Sequence, residues 1–480
     1  MLVVGVDIGT QGARAVAVDG QGRIAAQAQV PFAQLNSSDV PGHKEQEPQV
    51  WKDAVFEALR GITTQVDARR IAALALDGTS GTVLAATKRG EPLTPGIMYN
   101  DARSGEEARE LQDLGGEVTA RLGYQFNASY GLPKMLWIKR HQPRVYEAAR
   151  LFLHQADYIA GLLTGQFQQT DWSNAMKTGY DLEKREWPAY IGKVLPLNML
   201  PKVQAPGSVL GEVTGKAAAE TGLHIGTKVI AGCSDGYASA LASGAVGLGD
   251  FCTTIGTTLV IKGVTDKLIL DPKGRVYCHL HPEGWYMPGG AANIGGRVLA
   301  EQYQGRFDEL NQTVDALTPT GIIGYPLTGT GERFPFLHRE AVGFRCGEGD
   351  ERQLYAATLE GVAFAERLSY RVLEKLGCRI GERIYTAGGA VKSDPWSRVR
   401  ASVLNRELLV PEVVEAAMGS ALLAACGTLY PTVTEAARNM VRIVKTFAPE
   451  RVKAERYDEL YSRFEAELFR RGYLDKEDLA

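Results

Sequence analysis

The first stretch whose residue types suit a chemical role is Asp7 with the glycine-rich turn that follows it. An apolar run at residues 2–6 predicts a buried strand that ends at this acid, and the turn contains Gly9, Thr10 and Gly12. Glycine tolerates backbone conformations that let a ligand approach closely, and successive N–H groups of such a turn form an anion site. The turn therefore suits a phosphate, with Asp7 beside it to hold Mg²⁺ directly or through water. A purely structural hairpin explains the same residues about equally well.

A second stretch of the same design lies in the second half of the chain. Residues 251–262 again read as a strand, a turn that contains Gly256 and Thr257, and a further strand. Two such hairpins, each at the start of about half the chain, indicate an internal duplication. A third glycine loop, at Gly388 and Gly389, follows another predicted strand. We expect each half to offer one phosphate-binding turn to a shared cleft.

Polar side chains follow two further predicted strands. Asp77, Thr79 and Ser80 come after the apolar residues 71–76, and Asn100 stands at a strand-to-helix junction. Ligands of α/β sheets collect at strand ends and in the loops that follow them. These residues are therefore candidates for contacts with the hydroxyl groups of a substrate such as a polyol. Turn formation and helix capping favour the same residue types, so both interpretations stay open.

Asp235 lies at the predicted start of a helix that is rich in small residues. It stands between Ser234 and Gly236, and the helix is predicted over residues 237–243. The helix dipole favours an acid at this position, so a simple cap is one interpretation. Small residues also allow close packing where two domains meet, and a functional cleft at this acid is the other interpretation.

The elements that must position these residues alternate between strands and helices. Such alternation predicts an α/β protein with a parallel or mixed sheet that is covered on both faces. The length of 480 residues exceeds one ordinary hydrophobic core and predicts two or three domains.

Composition narrows the class of partner. The chain has 53 lysines and arginines against 56 acidic residues, so its net charge of −3 gives no basic field for nucleic acid or for an acidic membrane surface. No apolar run reaches the roughly eighteen residues of a membrane-spanning helix. The six cysteines are scattered singly, without the pattern of a zinc site or of a disulfide framework. We therefore expect a cytoplasmic protein that acts on small molecules.

Two common nucleotide motifs are absent, and the motifs that are present resemble one family. The chain has no GxxxxGK[ST] sequence, and Gly5, Gly9 and Gly12 have the wrong spacing for a dinucleotide fingerprint. Paired glycine–threonine hairpins with a third glycine loop are typical of the actin-like, ribonuclease-H-like ATPase fold. Within that fold the chain resembles the FGGY carbohydrate kinases over essentially its whole length. The stretches that carry the resemblance are VDIGTQGARAV, PKMLWIKRH, TTIGTTLVI, GERFPF, QLYAATLEGVAFA and TAGGAVKS.

The resemblance implies two actin-like ATPase domains with a cleft between them, a sugar-binding domain at residues 1–243 and a nucleotide-binding domain at residues 244–480. It implies ATP and Mg²⁺ as cofactors and a ketose as the substrate. The stretches LALDGTSGTVL, QADYIAGLLTGQFQQTDWSNAMKTGYD, YCHLHPEGWYMPGGAANIGG and PLTGTGERFPF are most similar to the D-ribulose kinase group of cyanobacteria and plants. D-Ribulose 5-phosphate is therefore the expected product, and D-xylulose is the alternative substrate. A homodimer is left open as the assembly.

The resemblance also implies a role for each candidate residue. Asp235 would take the proton of the attacking hydroxyl, Asp7 would hold Mg²⁺, and Thr10 would belong to the catalytic centre. The substrate would contact Asp7, Asp77, Thr79, Ser80, Asn100 and Asp235. The nucleotide and its phosphates would contact Thr10, Gln11, Gly12, Ala13, Arg14, Gly256, Thr257, Gly388, Gly389 and Ser393.

Departures from the family pattern leave the exact substrate and a rival function open. Gln11 replaces the usual Ser or Thr, Gly131 replaces a small hydroxyl residue or Pro, and Ala390 replaces the third glycine of the nucleotide loop. None of these changes alters Asp7 or Asp235. The rival function is that of an actin-like chaperone or filament protein, which would share the phosphate turns and respond to no sugar.

Overall fold

The computed structural model describes residues 1–479, with the side chains of residues 1–478, and the chain forms two compact units. Unit 1 comprises Met1–Gly244, His279–Gly284 and Val413–Arg442. Unit 2 comprises Ala245–Cys278, Trp285–Glu412 and the chain from Ile443 onward. The first stretch of unit 1 thus ends one residue after the sequence-based boundary at 243. Residues 413–442, which the sequence placed in the second domain, pack in unit 1.

Unit 1 is built on a six-stranded sheet. In chain order the strands of unit 1 are β1 (Leu2–Ile8), β2 (Gly12–Asp19), β3 (Ile24–Pro31), β4 (Glu45–Gln46), β5 (Ile71–Gly78), β6 (Val83–Ala86), β7 (Gly96–Ile97), β8 (Leu151–His154), β9 (Gln169–Asp171), β10 (Lys202–Gln204), β11 (Val209–Glu212) and β12 (Lys228–Ser234). The large sheet has the order β11-β12-β5-β1-β2-β3. In it β12, β5 and β1 are parallel, and β1, β2 and β3 form antiparallel pairs. Smaller sheets have the orders β4-β7-β6-β8 and β10-β9.

Strand register brings three acids to one edge of this sheet. Every residue of β1 is buried, as a continuous apolar run in the middle of a covered sheet predicts. The parallel register of β1 with β5 places Asp7 opposite Asp77. The register of β12 with β5 places Ser234 opposite Gly78, and Asp235 follows directly. The carboxyl ends of three parallel strands therefore carry Asp7, Asp77 and Asp235.

Helices pack against the sheets of unit 1. They are α1 (Pro48–Thr63), α2 (Gly105–Leu122), α3 (Gly131–His141), α4 (Pro143–Ala148), α5 (Gln155–Thr164), α6 (Trp172–Met176), α7 (Gly215–Thr221), α8 (Asp235–Ala242), α13 (Ala416–Ala425) and α14 (Val433–Met440). Small residues let α13 approach closely. A Cβ on Gly5 of β1 would lie 1.8 Å from Ala417 O, and a Cβ on Gly419 of α13 would lie 1.9 Å from Ala238 O in α8. This close backbone packing is why the late segment joins unit 1.

Unit 2 carries the remaining elements. Its strands are β13 (Phe251–Ile255), β14 (Leu259–Gly263), β15 (Tyr277–Leu280, whose last two residues belong to unit 1), β16 (Tyr286–Ala291), β17 (Ile323–Tyr325), β18 (Phe344–Cys346), β19 (Arg383–Ala387), β20 (Glu407–Pro411) and β21 (Ile443–Phe447). Its helices are α9 (Arg297–Gln302), α10 (Phe307–Leu317), α11 (Glu351–Lys375), α12 (Asp394–Leu404), α15 (Arg451–Arg470) and α16 (Lys476–Leu479). The large sheet has the order β15-β16-β14-β13-β19-β20-β21. Throughout residues 1–479, every helix is too short or too polar to span a lipid bilayer.

Unit 2 repeats the hairpin of unit 1. β13 and β14 are antiparallel, with Ile255 opposite Leu259 at the turn, and β13 also pairs in parallel with β19. β1 has the same two kinds of neighbour, the antiparallel β2 and the parallel β5. This repetition is the arrangement that an internal duplication predicts.

Candidate active site

Asp235 is the residue that the sequence predicts as the general base. It is the first residue of α8 and is partly exposed, and Gly236 N–H donates a 2.7 Å hydrogen bond to its Oδ1. Burial raises the pKa of Asp235 to about 6, with a further contribution from the negative charge of Asp7, and the Gly236 hydrogen bond opposes the shift. The carboxyl is therefore mostly ionised at neutral pH and yet binds a proton more readily than an ordinary aspartate.

Asp7 is paired with a cation across the hairpin. Arg14 Nη1 lies 3.0 Å from Asp7 Oδ2, because the register of β1 and β2 sets these two residues opposite each other. Asp7 is buried, whereas the side chain of Arg14 is 44% exposed. An exposed guanidinium beside an acid and a turn of backbone amides suits a phosphate that arrives with its metal ion.

Asp77 faces the interior of unit 1. Ser420 Oγ donates a 2.6 Å hydrogen bond to Asp77 Oδ2, and Asp77 Oδ1 has no hydrogen-bond partner among residues 1–478. Burial, and after it the charge of Asp7, raises the pKa of Asp77 well above its usual range, against the hydrogen bond from Ser420. Asp77 has no exposed surface, so its contact with a substrate stays a prediction.

Backbone contacts fix the turn between β1 and β2. Gly9 N–H donates to Gly12 O at 3.0 Å. A Cβ on Gly12 would lie 2.5 Å from Val30 O, so no larger residue fits at this position without moving the backbone. The turn therefore keeps one conformation through hydrogen bonding at one end and close packing at the other.

The predicted phosphate contacts of this turn differ in what they can offer. Thr10 is partly exposed and Gln11 is exposed, whereas the side chain of Ala13 is fully buried. Ala13 therefore has no exposed surface, and its predicted contact with the nucleotide stays a prediction. Gln46, which the sequence did not single out, donates from Nε2 to Thr10 O at 2.9 Å and supports the turn from behind.

Two glycine loops of unit 2 meet at Ile255. Gly256 and Thr257 are exposed at the turn between β13 and β14. Gly388 has a φ of +88°, and a Cβ there would lie 2.4 Å from Ile255 O, so the loop after β19 packs directly on the hairpin. Gly389 next to it is exposed. The structure thus brings these four predicted nucleotide contacts to one place in unit 2.

Ser393 stands at the start of α12. Its Oγ accepts a hydrogen bond from Trp396 N at 3.3 Å as the helix cap and donates to Asn311 Oδ1 at 2.8 Å. The hydroxyl is thus engaged within unit 2, and its predicted contact with adenosine stays a prediction.

The predicted sugar contacts on the loops of unit 1 fall into two groups. Ser80 is partly exposed and Asn100 is exposed, as ligand contacts require. Thr79 is only 1% exposed and is hydrogen-bonded to Gln155 and Thr82. The sequence marked Thr79 and Ser80 as equivalent, and the structure separates an inward residue from an outward one.

Comparison with known proteins assigns the chain to a family. The profile of the N-terminal domain of the FGGY family of carbohydrate kinases matches residues 2–242, and that of the C-terminal domain matches residues 253–428. The chain belongs to the FGGY family of carbohydrate kinases. The predicted family and the predicted actin-like α/β fold are confirmed.

Relatives of this FGGY kinase carry two different substrate names. The chain is 26% identical to a xylulose kinase of Bacillus subtilis over 99% of its own length and 97% of that protein. It is also 26% identical to a gluconokinase of Bacillus subtilis, over 88% of its own length and 86% of that protein. The crystal structure of a xylulose kinase from Rhodospirillum rubrum is 29% identical and superimposes with a TM-score of 0.84 over 98% of each chain. The D-ribulose subgroup stays a prediction.

A buried serine of the kinase supports the peptide that precedes Asp235. Ser234 N–H donates to Ser173 Oγ at 2.8 Å, and Ser173 Oγ donates to Asp171 Oδ1 at 2.6 Å. Sequence reasoning missed both residues. The one local signal is the cap at the start of α6, where Asp171 accepts hydrogen bonds from Ser173 N and Asn174 N.

The edge of the first sheet that carries Asp7, Asp77 and Asp235 suits a Mg²⁺ ion. This ion is usually held by one or two carboxylates together with water and phosphate oxygens, so a larger cluster of ligands is not required. Asp7 and Asp77 are neighbours in the sheet, and because burial and the charge of Asp7 raise the pKa of Asp77, Asp7 is the carboxylate that would hold the ion. Within that part of the chain, His, Cys, Asp and Glu side chains form no metal-ligating group of three or more.

Proposed function

We propose that this FGGY kinase transfers the γ-phosphoryl group of ATP to the 5-hydroxyl of D-ribulose. The observation that carries the proposal is Asp235, a partly exposed acid at the start of α8, whose pKa burial and the charge of Asp7 raise to about 6. Phosphoryl transfer requires positioning, charge neutralisation and one base for the attacking hydroxyl. The reaction class, phosphoryl transfer to a carbohydrate, follows from the family. The residues proposed for positioning, charge neutralisation and the base are described below.

Asp235 acts as the base in this proposal. The sugar oxygen forms a bond to the γ-phosphorus while the bond from that phosphorus to the β-γ bridging oxygen breaks and ADP leaves. The proton of the sugar hydroxyl passes to Asp235. Proton transfer is late when the transition state is loose, so a base with a pKa near 6 is sufficient.

The phosphate contacts divide between the two hairpin turns. In unit 1, Arg14 and the backbone N–H groups of residues 10–13 bind the transferring phosphate. In unit 2, the nucleotide contacts Gly256, Thr257, Gly388, Gly389 and Ser393. Asp7 would hold Mg²⁺, which would supply neutralisation of the phosphate charge. Arg14, which pairs with Asp7 and is 44% exposed, adds a second positive charge that an anion can reach from solvent.

The sugar is assigned from the small polar groups of unit 1. Ser80 and Asn100 offer hydrogen bonds, and a Cβ on Gly236 beside the base would meet no atom within 4 Å, which leaves room for a substrate. D-Ribulose and D-xylulose differ only in the configuration at C3. A wrongly oriented hydroxyl leaves polar groups unpaired, at a cost of about 1–3 kcal/mol, which corresponds to a preference of roughly tenfold to a hundredfold. D-Xylulose is the second candidate because two of the compared relatives are named xylulose kinases.

The experiment compares kcat/KM for D-ribulose, L-ribulose, D-xylulose, gluconate and glycerol. The release of ADP measures the rate with each substrate. We expect D-ribulose to lead by at least about tenfold. A lead for D-xylulose or gluconate would overturn the substrate and keep the kinase. ADP release that is indifferent to every sugar would instead support the chaperone or filament alternative. Sedimentation of the same sample shows whether the protein forms a homodimer, which the sequence left open.

A further inference from the structure

Gln155 joins the loop after β5 to the start of α5. Its Oε1 accepts hydrogen bonds from Thr79 N and from Thr79 Oγ1, both at 2.9 Å, although the residues lie 76 positions apart. The contact is buried. A backbone N–H can only donate, so the oxygen of the Gln155 amide must face Thr79, and its nitrogen must point elsewhere. The orientation of this side chain is therefore determined.

The direction of the neighbouring hydrogen bonds follows from that orientation. Thr79 Oγ1 gives its single hydrogen to Gln155, so Thr82 is the donor in the 2.7 Å contact between Thr79 Oγ1 and Thr82 Oγ1. Thr82 Oγ1 in turn accepts from Tyr99 N–H at 3.1 Å. One continuous series of donors runs from Tyr99 through Thr82 and Thr79 to Gln155. It connects the two loops that we expect to contact the sugar.

The hydroxyl hydrogens of Thr79 and Thr82 are both used inside the protein. Both side chains are buried, at 1% and 0% exposure, so neither hydroxyl is left to donate to a ligand. Ser80 between them is partly exposed. A Cβ on the next residue, Gly81, would lie 2.1 Å from Ser129 O, so the loop is held closely on that side too. The position of the Ser80 hydroxyl thus depends on the network behind it.

Gln155 is not explained by stability alone. Its Nε2 is buried and has no hydrogen-bond partner among residues 1–478. An unpaired buried donor destabilises a fold, and methionine would fill similar space without one. What the glutamine contributes is the acceptor for Thr79.

We propose that Gln155 is a positioning residue that sets the sugar preference of the kinase by holding the loop of Thr79 and Ser80. The proposal rests on the proposed function, because it places the sugar at this loop. Gln155 acts through Thr79 and does not touch the sugar. Without its acceptor, the loop loosens, Ser80 loses its single position, and sugars that differ at one hydroxyl are distinguished less well.

The test compares Gln155→Met, which removes the acceptor, with Gln155→Glu, which keeps an oxygen in its place. We expect Gln155→Met to raise KM for the preferred ketose about tenfold and to reduce the ratio of kcat/KM between D-ribulose and D-xylulose by at least about threefold. We expect KM for ATP to stay unchanged in both variants. Gln155→Glu should keep most of the wild-type ratio of kcat/KM between D-ribulose and D-xylulose. Gln169→Met is the control. It removes the hydrogen bonds of the partly buried Gln169 to Leu210 O, Gln166 and Gln204, at 2.7, 3.1 and 3.3 Å, and should leave the ratio as it was.

Hydrogen exchange at the Thr79 amide gives a readout that does not depend on activity. We expect this N–H to exchange at least about tenfold faster in Gln155→Met than in the wild type. Faster exchange with an unchanged ratio would make Gln155 merely structural and overturn the proposal, and unchanged exchange would overturn it as well. If the wild type phosphorylates no ketose, the proposed function fails. In that case, faster exchange with a changed ratio of kcat/KM between gluconate and glycerol would support the role of Gln155, and an unchanged ratio would overturn it.

Discussion

Ser420 donates a 2.6 Å hydrogen bond to the buried Asp77 Oδ2, although the two residues lie 343 positions apart in the chain. Ser420 belongs to α13, whose small residues pack on β1 and α8 with almost no space between the backbones. The segment 413–442 thus returns to unit 1 and brings Ser420 to the edge of the first sheet that carries Asp77. The ionisation of Asp77, and through it the charge beside Asp7, depends on this distant helix.

Replacement of Ser420 by alanine tests this connection. Ser420→Ala leaves both oxygens of a buried carboxyl without the hydroxyl donor, so we expect the free energy of unfolding to fall by about 1–3 kcal/mol. Urea denaturation measures the change. Ser462→Ala is the control, because Ser462 Oγ donates to Asp458 O at an exposed position of α15, and the substitution should cost less than about 0.5 kcal/mol. Equal stability of the two variants would contradict the argument.

Asp235→Asn tests the base. The amide keeps the size and the capping ability of the side chain but cannot take the proton, so kcat should fall by roughly 10²-fold or more while the melting temperature changes little. Steady-state kinetics and a thermal melt check both parts. Asp113→Asn, an exposed position on α2, is the matched control and should keep full activity. Near-normal turnover in Asp235→Asn would remove Asp235 from the mechanism.

The pH dependence of the rate follows from the pKa of Asp235. Its folded value of about 6 lies above the ordinary value of 3.8, and the base is active only when ionised. As pH falls below about 6, kcat/KM should therefore drop by about tenfold per pH unit. A rate that stays constant down to pH values near 4 would show that another group takes the proton.

Gly388→Ala tests the nucleotide loop of unit 2. At a φ of +88°, the new Cβ would lie 2.4 Å from Ile255 O, so the loop must move away from the hairpin. We expect KM for ATP to rise about tenfold or more and KM for the sugar to stay the same. Gly377→Ala separates backbone strain from the collision, because Gly377 has a φ of +100° and an added Cβ there meets no atom within 4 Å. If Gly388→Ala and Gly377→Ala changed KM for ATP equally, the result would count against a nucleotide site at Gly388.

Ser173→Ala tests the support of the Asp235 peptide. The variant leaves the buried Ser234 N–H without its acceptor, so the start of α8 should shift and kcat should fall by roughly tenfold with little change in either KM. Ser369→Ala removes a similarly buried hydroxyl, which donates to Ala365 O in unit 2, and serves as the control. If both variants lose stability equally and neither loses kcat, Ser173 has no special connection with the base.

Local patterns made the hairpin turns and the start of α8 predictable. A strand that ends in an acid and a glycine turn, as at Asp7, is encoded within about ten residues, because strand propensity and glycine conformation act at short range. The helix start at Asp235 is readable for the same reason, since small residues follow it directly. The repeat of the first hairpin at Gly256 also needed only comparison of two short stretches.

Three decisive contacts had no such signal. The partners Ser420 and Asp77, Ser173 and Ser234, and Gln155 and Thr79 are separated by 343, 61 and 76 positions. Hydrogen-bond geometry depends on distances of a few tenths of an ångström, which residue types and spacing do not encode.

The sequence by itself determined the family and the α/β fold, because short motifs and hydrophobic periodicity encode them. It also predicted Asp7 and Asp77 at strand ends and Asp235 at a helix start. Only the tertiary structure decided that Thr79 faces inward while Ser80 faces outward, and that residues 413–442 pack in unit 1. The physical reason is that burial and hydrogen-bond direction are properties of the packed chain. Turn chemistry favours Thr79 and Ser80 alike, and only the amide of Gln155 fixes which hydroxyl is consumed inside the protein.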